Sequence, residues 1–133
     1  MQTRKYPFLE DYGFVVTSEI SGGYLPDDYI VTLTSSYFFL KYGLERFTAF
    51  IEIASNSDND RWYDLTLVKA LLHEGTTLDK KPDTSELELF LRSDFPKIKD
   101  LFSSVNYSQT KVKLDDLVKI RLRQMFPGLK DRF

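Results

Sequence analysis

The chain has 133 residues, the length of one domain, and it carries one Trp, eight Tyr and eleven Phe that can build a core without crosslinks. It has no cysteine, which excludes disulfides and thiolate chemistry. No apolar run approaches the ~18–20 residues of a membrane-spanning helix, and the amino terminus lacks the apolar region of a signal peptide. We therefore expect a single domain over 1–133 in the cytoplasm, with no membrane contact.

Charge is distributed unevenly along a chain whose net charge is −2. Residues 1–60 contain nine acidic and four basic groups, whereas the remainder contains 11 acidic and 14 basic groups. Two interpretations are open. The surface is either mixed and solvated throughout, or an acidic front half faces a basic partner.

The first part of the chain predicts a short helix followed by strands. Apolar residues from Tyr6 to Tyr12 form a stripe, and Gly13 stands where a helix end favours left-handed geometry. Runs of β-branched and aromatic residues then predict about four strands, over 14–20, 28–34, 37–42 and 46–54. The GLE segment between the last two runs predicts a tight antiparallel hairpin.

The polar segment NSDNDRW (56–62) begins like a calcium-binding loop, with oxygen-bearing side chains at alternate positions. An EF-hand loop also needs a glycine at its sixth position and a glutamate at its twelfth, where this chain has Arg61 and Leu67. We therefore predict no metal site here. We interpret the segment as a strand-to-helix connection, with Asp60 as the cap of the helix and Trp62 at the start of its buried stripe.

Helical periodicity follows this segment. Three to four helices are predicted, over 61–74, 84–93, 95–105 and 112–126, and Pro96 marks the first turn of a new helix or a kink. Since strands are grouped before helices, the sequence indicates an α+β domain with an antiparallel sheet and helices packed on one face.

No residue pattern indicates a reaction or a cofactor. His73 is the only histidine and is expected at a helix end, near the last carbonyls. A nucleophile elbow, a P-loop and a zinc ligand set are absent from the sequence.

Two pairs of adjacent carboxylates have other expected roles. The pair Asp115-Asp116 is expected near a helix amino terminus, and for the pair Asp27-Asp28 both turn formation and contact with a partner remain open. We expect a protein that is not an enzyme and binds no cofactor.

Strand alternation divides the predicted sheet into two faces. One face carries the residues that pack on the helices, while the other carries aromatic rings among Lys41, Thr48 and charged neighbours. Such a mixture is typical of protein-binding surfaces, unless the amino-terminal helix or a loop covers it. The predicted partner-binding residues are Asp27, Asp28, Tyr29, Tyr37, Phe39, Phe50, Glu52, Asp58 and Asp60.

Four stretches of the chain also carry a family resemblance: YPFLEDYGF (6–14), RFTAFIEIASNSDNDRWYDLTLVKALL (46–72), DFPKIKDLFS (94–103) and RLRQMFPG (121–128). In this order they resemble small bacterial immunity-protein-like families associated with polymorphic toxin systems. The resemblance implies a cytoplasmic protein that binds and neutralises a cognate toxin without catalysis. It assigns a role to no individual residue.

Two other functions stay open from the sequence. The first is a structural or regulatory subunit of a homo-oligomer, such as a homodimer joined through the same sheet face. The second is an RNA-binding adaptor that uses a basic carboxyl end, formed by Lys111, Lys113, Lys119, Arg121, Arg123, Lys130 and Arg132. Acidic residues interrupt this run and the whole chain is acidic, so protein contact is predicted ahead of nucleic-acid binding.

Overall fold

A computed structural model of the protein describes residues 6–78, 80 and 82–128. The strands are β1 (Val15–Ser21), β2 (Tyr29–Thr34), β3 (Phe39–Glu45), β4 (Thr48–Ser55) and β5 (Asp58–Asp64). The helices are α1 (Pro7–Asp11), α2 (Leu65–Leu72), α3 (Thr84–Ser93), α4 (Phe95–Leu101) and α5 (Tyr107–Met125).

The five strands form one antiparallel sheet in the order β1-β2-β3-β4-β5. Each strand pairs with the next one along the chain, as short connections favour. The prediction of an α+β domain with an antiparallel sheet is confirmed, with five strands where about four were predicted.

The fifth strand replaces the predicted strand-to-helix connection. Tyr63 pairs with Ile53 of β4, and α2 begins only at Leu65. The cap of α2 is Asp64 rather than Asp60, because its Oδ1 accepts the Thr66 N–H at 2.9 Å. The prediction of a helix from residue 61 was wrong. Residues 58–64 form a strand because they pair with β4, and the sequence of this polar segment alone does not indicate that pairing.

The helices pack on one face of the sheet, which we call the inner face. Buried strand residues on this face are Val31, Leu33, Leu40, Tyr42, Ile51, Ile53 and Tyr63. The helices add Leu9, Leu65, Val68, Leu87, Leu91, Phe95, Ile98 and Leu114 to the same core. This packing is what the hydrophobic periodicity of the sequence predicted.

The bounds of the later helices differ from the prediction at three ends. The span of α3 agrees with the prediction, but α4 ends at Leu101 rather than at 105, and α5 extends from Tyr107 to Met125 rather than from 112 to 126. The Thr110 hydroxyl donates to the Leu101 carbonyl at 2.7 Å and fastens α5 to the end of α4. Asp115 therefore lies in the interior of α5 and not at its first turn.

In the part of the chain that the structure describes, no helix combines the length and the apolar character needed to cross a membrane.

Candidate functional site

The candidate site is the second face of the sheet, opposite the helices, which we call the outer face. It is defined by Ile30, Phe39, Lys41, Phe50, Glu52 and Trp62. Lys41 pairs with Glu52 across β3 and β4, and the Lys41 Nζ lies 4.1 Å from the centroid of the Trp62 ring. The rings of Phe39, Phe50 and Trp62 are half-buried. The face thus presents apolar area around one charged pair.

The apolar character of the outer face extends to the edge strand β1. By register, Ile20 lies opposite Ile30 and Val15 opposite Thr34, and both β1 side chains are more than half exposed. Where exposed apolar side chains form a continuous patch bordered by polar residues, they mark an interaction surface.

Gly43 shapes the centre of the outer face. It pairs with Phe50, and a Cβ built on Gly43 would lie 2.1 Å from Cζ of the Phe50 ring. The ring therefore rests on the bare backbone of β3, which only glycine permits. The sequence placed this glycine in the hairpin turn, but the turn lies at Arg46 and Phe47, and β3 continues to Glu45.

We predict that Gly43→Ala lowers the free energy of unfolding by about 1–2 kcal/mol, because the new methyl group pushes the Phe50 ring off the sheet. In a Phe50→Ala background the same change should be neutral or stabilising by about 0.5 kcal/mol, since glycine is unfavourable within a strand. Urea unfolding of both single variants and the double variant measures the coupling. Additive effects, within about 0.5 kcal/mol, would show that the two residues do not touch.

The predicted partner-binding residues divide into three groups. Phe39, Phe50 and Glu52 lie together on the outer face. Asp27 is exposed in the β1–β2 loop, outside the sheet, and Asp60 is exposed on the edge strand β5, two residues before Trp62. The remaining four residues do not lie on the outer face.

Two of those four are aromatic residues that pack on the core. Tyr29 begins β2 on the inner side of the sheet and is half-buried against the core. Tyr37 lies just before β3, where its ring contacts the Phe95 ring edge-on with 5.8 Å between the centroids. The Lys99 Nζ lies over the Tyr37 ring, 4.8 Å from its centroid. The expectation that Tyr37 shares a face with Phe39 is corrected, because the chain turns between them.

Asp28 has a structural role instead of a surface one. It is 5% exposed, and its carboxylate accepts the backbone N–H of Leu25 at 3.1 Å and that of Arg46 at 3.0 Å. One carboxylate thus connects the β1–β2 loop to the β3–β4 turn. Turn formation, one of the two interpretations of Asp27-Asp28, is what the structure shows for Asp28.

Asp58 lies on the helix side of β5, where three carboxylates join β5 to α5 in what we call the polar seam. Asp58 accepts from Lys111 Nζ at 2.9 Å and from the Tyr107 hydroxyl at 3.0 Å. The other pairs are Arg61–Asp115 at 2.7 Å, Tyr63–Asp115 at 2.6 Å and Arg121–Asp64 at 3.1 Å. These contacts hold α5 against β5.

The polar seam changes the ionisation of its members. Hydrogen bonds from Lys111 and Tyr107 hold the pKa of Asp58 below its ordinary value. Burial raises the pKa of Asp115, but hydrogen bonds from Arg61 and Tyr63 outweigh it, so the net shift is downward. Burial, with the hydrogen bond to Asp115, raises the pKa of Tyr63 to about 12. The polar seam therefore stabilises the ionised carboxylates of Asp58 and Asp115 and the neutral phenol of Tyr63.

A pH dependence follows from these shifts. Because the folded pKa of Asp58 and Asp115 lies below the unfolded value of ~3.9, their stabilising contribution is complete above about pH 4 and is lost as the pH falls below it. We predict that the free energy of unfolding falls as the pH drops below about 4 at low salt. Asp58→Asn combined with Asp115→Asn should flatten that fall, and Asp60→Asn, on the same strand, is the control. An unchanged slope in the double variant would contradict the assignment.

The polar seam also includes two residues of the basic carboxyl end that the sequence suggested as an RNA-binding surface. Lys111 and Arg121 pair with Asp58 and Asp64, and Lys130 and Arg132 lie outside the described residues. In the described part of α5, two cations are therefore engaged in ion pairs within the protein itself.

His73 ends α2, as expected, but its ring contacts another helix rather than the last carbonyls. Its Nε2 lies 2.5 Å from Oδ2 of Asp94, and its ring meets Phe90 edge-on at 5.5 Å. Among the described residues there is no group of three or more His, Cys, Asp or Glu side chains that could hold a metal ion.

The sequence-based prediction missed Trp62, which it assigned to a helix. Residues 58–64 could have been assigned to a strand only if their pairing with β4 had been known, and no local sequence pattern indicates that pairing. The positive φ angles of Arg46 and Phe47 were also missed, because neither residue type favours such a turn.

No protein-family model matches this chain, and neither a curated protein nor a solved structure is significantly similar to it.

Proposed function

We propose that this protein is a non-catalytic protein-binding domain of the immunity type, which binds and neutralises a cognate bacterial toxin in the cytoplasm through its outer face. The observation that carries the proposal is the set of three half-buried rings, Phe39, Phe50 and Trp62, on a sheet face that lies opposite the helices. The family resemblance of the sequence supports the same class of protein.

The composition of the outer face suits protein contact. Aromatic side chains bury large areas on binding and lose few rotamers, so they supply affinity at a low entropic cost. Lys41 and Glu52 form a cross-strand pair between the rings and can orient charges on a partner. Because the rings stand on hydrogen-bonded strands rather than on loops, the surface needs little ordering when it binds.

The test begins by finding the partner with a photoreactive residue. Benzoylphenylalanine is placed at Phe39 in the protein produced in its native cells, and at Val105, an exposed site between α4 and α5, as the control. The protein that crosslinks only from position 39 is identified, purified and titrated calorimetrically with the wild-type domain. Phe39→Ala should weaken this binding by about 1–3 kcal/mol with little loss of melting temperature.

The outcomes separate the candidate functions. If the crosslinked protein arrests growth when produced alone and the domain relieves the arrest, the immunity-type function holds. A second copy of this chain as the crosslinked product, with a dimer in size-exclusion chromatography, would favour the homo-oligomer instead. Binding of RNA that weakens steeply with salt would favour the adaptor. Unfolding of Phe39→Ala would show that this ring is core, and the outer face would not be the site.

A further inference from the structure

Two loops at one end of the sheet form a projecting feature, which we call the aromatic tip and define by Tyr24, Arg46 and Phe47. Arg46 and Phe47 form the β3–β4 turn, and Tyr24 comes from the β1–β2 loop. The Phe47 side chain is 84% exposed and the Tyr24 side chain is 74% exposed. The aromatic tip therefore exposes two aromatic rings to solvent at one end of the sheet.

The backbone of the turn is strained for the residues that form it. Arg46 has φ 50° and Phe47 has φ 69°, both in the left-handed region. Two-residue hairpin turns with this geometry strongly favour Asn and Gly, because other side chains crowd the backbone. A bulky ring at such a position is destabilising, and strain of this kind concentrates at functional sites.

The rest of the structure makes the strained turn rigid. Asp28, buried beneath the tip, accepts the Arg46 N–H at 3.0 Å and the Leu25 N–H at 3.1 Å. The guanidinium carbon of Arg46 lies 4.1 Å from the centroid of the Tyr24 ring. A buried carboxylate and a stacked cation therefore connect the two loops, and the tip is preorganised rather than mobile.

We infer that the aromatic tip inserts into a cleft of the partner protein, with Phe47 as its anchor. This inference rests on the proposed function and deepens it, because it adds a convex element beside a flat sheet face. Tyrosine and arginine are enriched among the residues that dominate binding energies, and a ring on a backbone that is already fixed has a lower ordering cost when it fills a pocket.

The chemistry of the tip defines the cleft that fits it. Phe47 requires an apolar pocket the size of a phenyl ring. The Arg46 guanidinium lies over the Tyr24 ring, with 4.1 Å between its central carbon and the ring centroid, and a guanidinium over a ring keeps N–H donors for a partner. They fit carboxylate or carbonyl oxygens at the rim of the pocket. The partner that fits the tip is thus a protein with an apolar recess and an oxygen-lined rim.

The experiment uses the full-length domain and the partner identified by crosslinking from position 39. Phe47→Asn removes the anchor but suits the left-handed backbone, so its melting temperature should equal or exceed that of the wild type. Its dissociation constant should rise at least tenfold. Val105→Asn, a change at a site that is also 84% exposed, should leave the dissociation constant unchanged.

The results distinguish the tip from the outer face. If Phe47→Asn binds like the wild type while Phe39→Ala binds weakly, the tip is not an anchor and the proposed function stands. If Phe47→Asn alone weakens binding, the tip is the anchor and the outer face contacts the partner without supplying affinity. If neither change weakens binding, both assignments are wrong.

Discussion

Replacing Phe95 by alanine is expected to lower the free energy of unfolding by about 3–5 kcal/mol, a large share of the stability of a domain of this size. Phe95 is 1% exposed and occupies the first turn of α4. Its ring contacts the rings of Phe8, Tyr12, Phe14, Tyr37 and Phe38 at centroid distances of 5.9, 4.0, 6.3, 5.8 and 5.5 Å. The truncation would open a cavity where α1, α4 and the start of β3 meet.

Urea unfolding, followed by circular dichroism, measures the effect of Phe95→Ala. Phe95→Leu is the control, since a substitution that largely conserves volume usually costs less than about 1.5 kcal/mol. A loss below about 1 kcal/mol in the alanine variant would mean that the site collapses around the missing ring. The aromatic cluster would then not be the structural centre that its geometry indicates.

Replacing Asp28 by alanine is expected to destabilise the protein by about 2–4 kcal/mol, because two backbone N–H groups lose their acceptor in a buried place. The two donors belong to Leu25 and Arg46. Asp27→Ala is the matched control, because Asp27 is adjacent and exposed, and exposed substitutions usually change stability by less than about 0.5 kcal/mol.

The same variant also tests how the aromatic tip is held. Urea unfolding gives the loss of stability, and the amide resonance of Arg46 in NMR spectra reports the loss of its hydrogen bond. We expect the tip to become mobile in Asp28→Ala, and partner affinity to fall by more than in Asp27→Ala. Equal stability of the two variants would contradict a structural role for the Asp28 carboxylate.

Local sequence patterns predicted much of this fold. Runs of β-branched and aromatic residues indicated β1 to β4 to within one to three residues at each end, and the span of α3 was correct. These elements have a period that a short window can show. β5 was missed because its segment is polar and irregular, and it becomes a strand only by pairing with β4. That information lies in the tertiary structure.

The candidate site was predictable where simple alternation holds. Phe39, Phe50 and Glu52 share the outer face, as strand parity indicated. Tyr37 has the same parity as Phe39 but lies before the strand. There Ser35 Oγ accepts the Tyr37 N–H at 3.1 Å and donates to the Phe38 carbonyl at 2.9 Å. Such a serine-centred turn is a local side-chain effect that parity does not include.

Glycine and aspartate were harder to interpret from sequence. Gly43 looks like a turn residue, yet it serves the close approach of the Phe50 ring. Asp28 looks like a surface carboxylate, yet it is buried between two loops. In both cases a residue from another strand or loop explains the residue type: Phe50 of β4 explains Gly43, and Arg46 of the β3–β4 turn explains Asp28.

The most direct test of the outer face as the contact surface uses Trp62, the only tryptophan of the chain. The ¹⁵N-labelled domain is titrated with its unlabelled partner, and the indole N–H resonance is followed by NMR. Because this ring lies on the outer face beneath Lys41, we predict that its resonance shifts or broadens until the partner is stoichiometric. A complex that forms while the indole resonance stays unchanged, and while resonances of α3 move instead, would contradict the account.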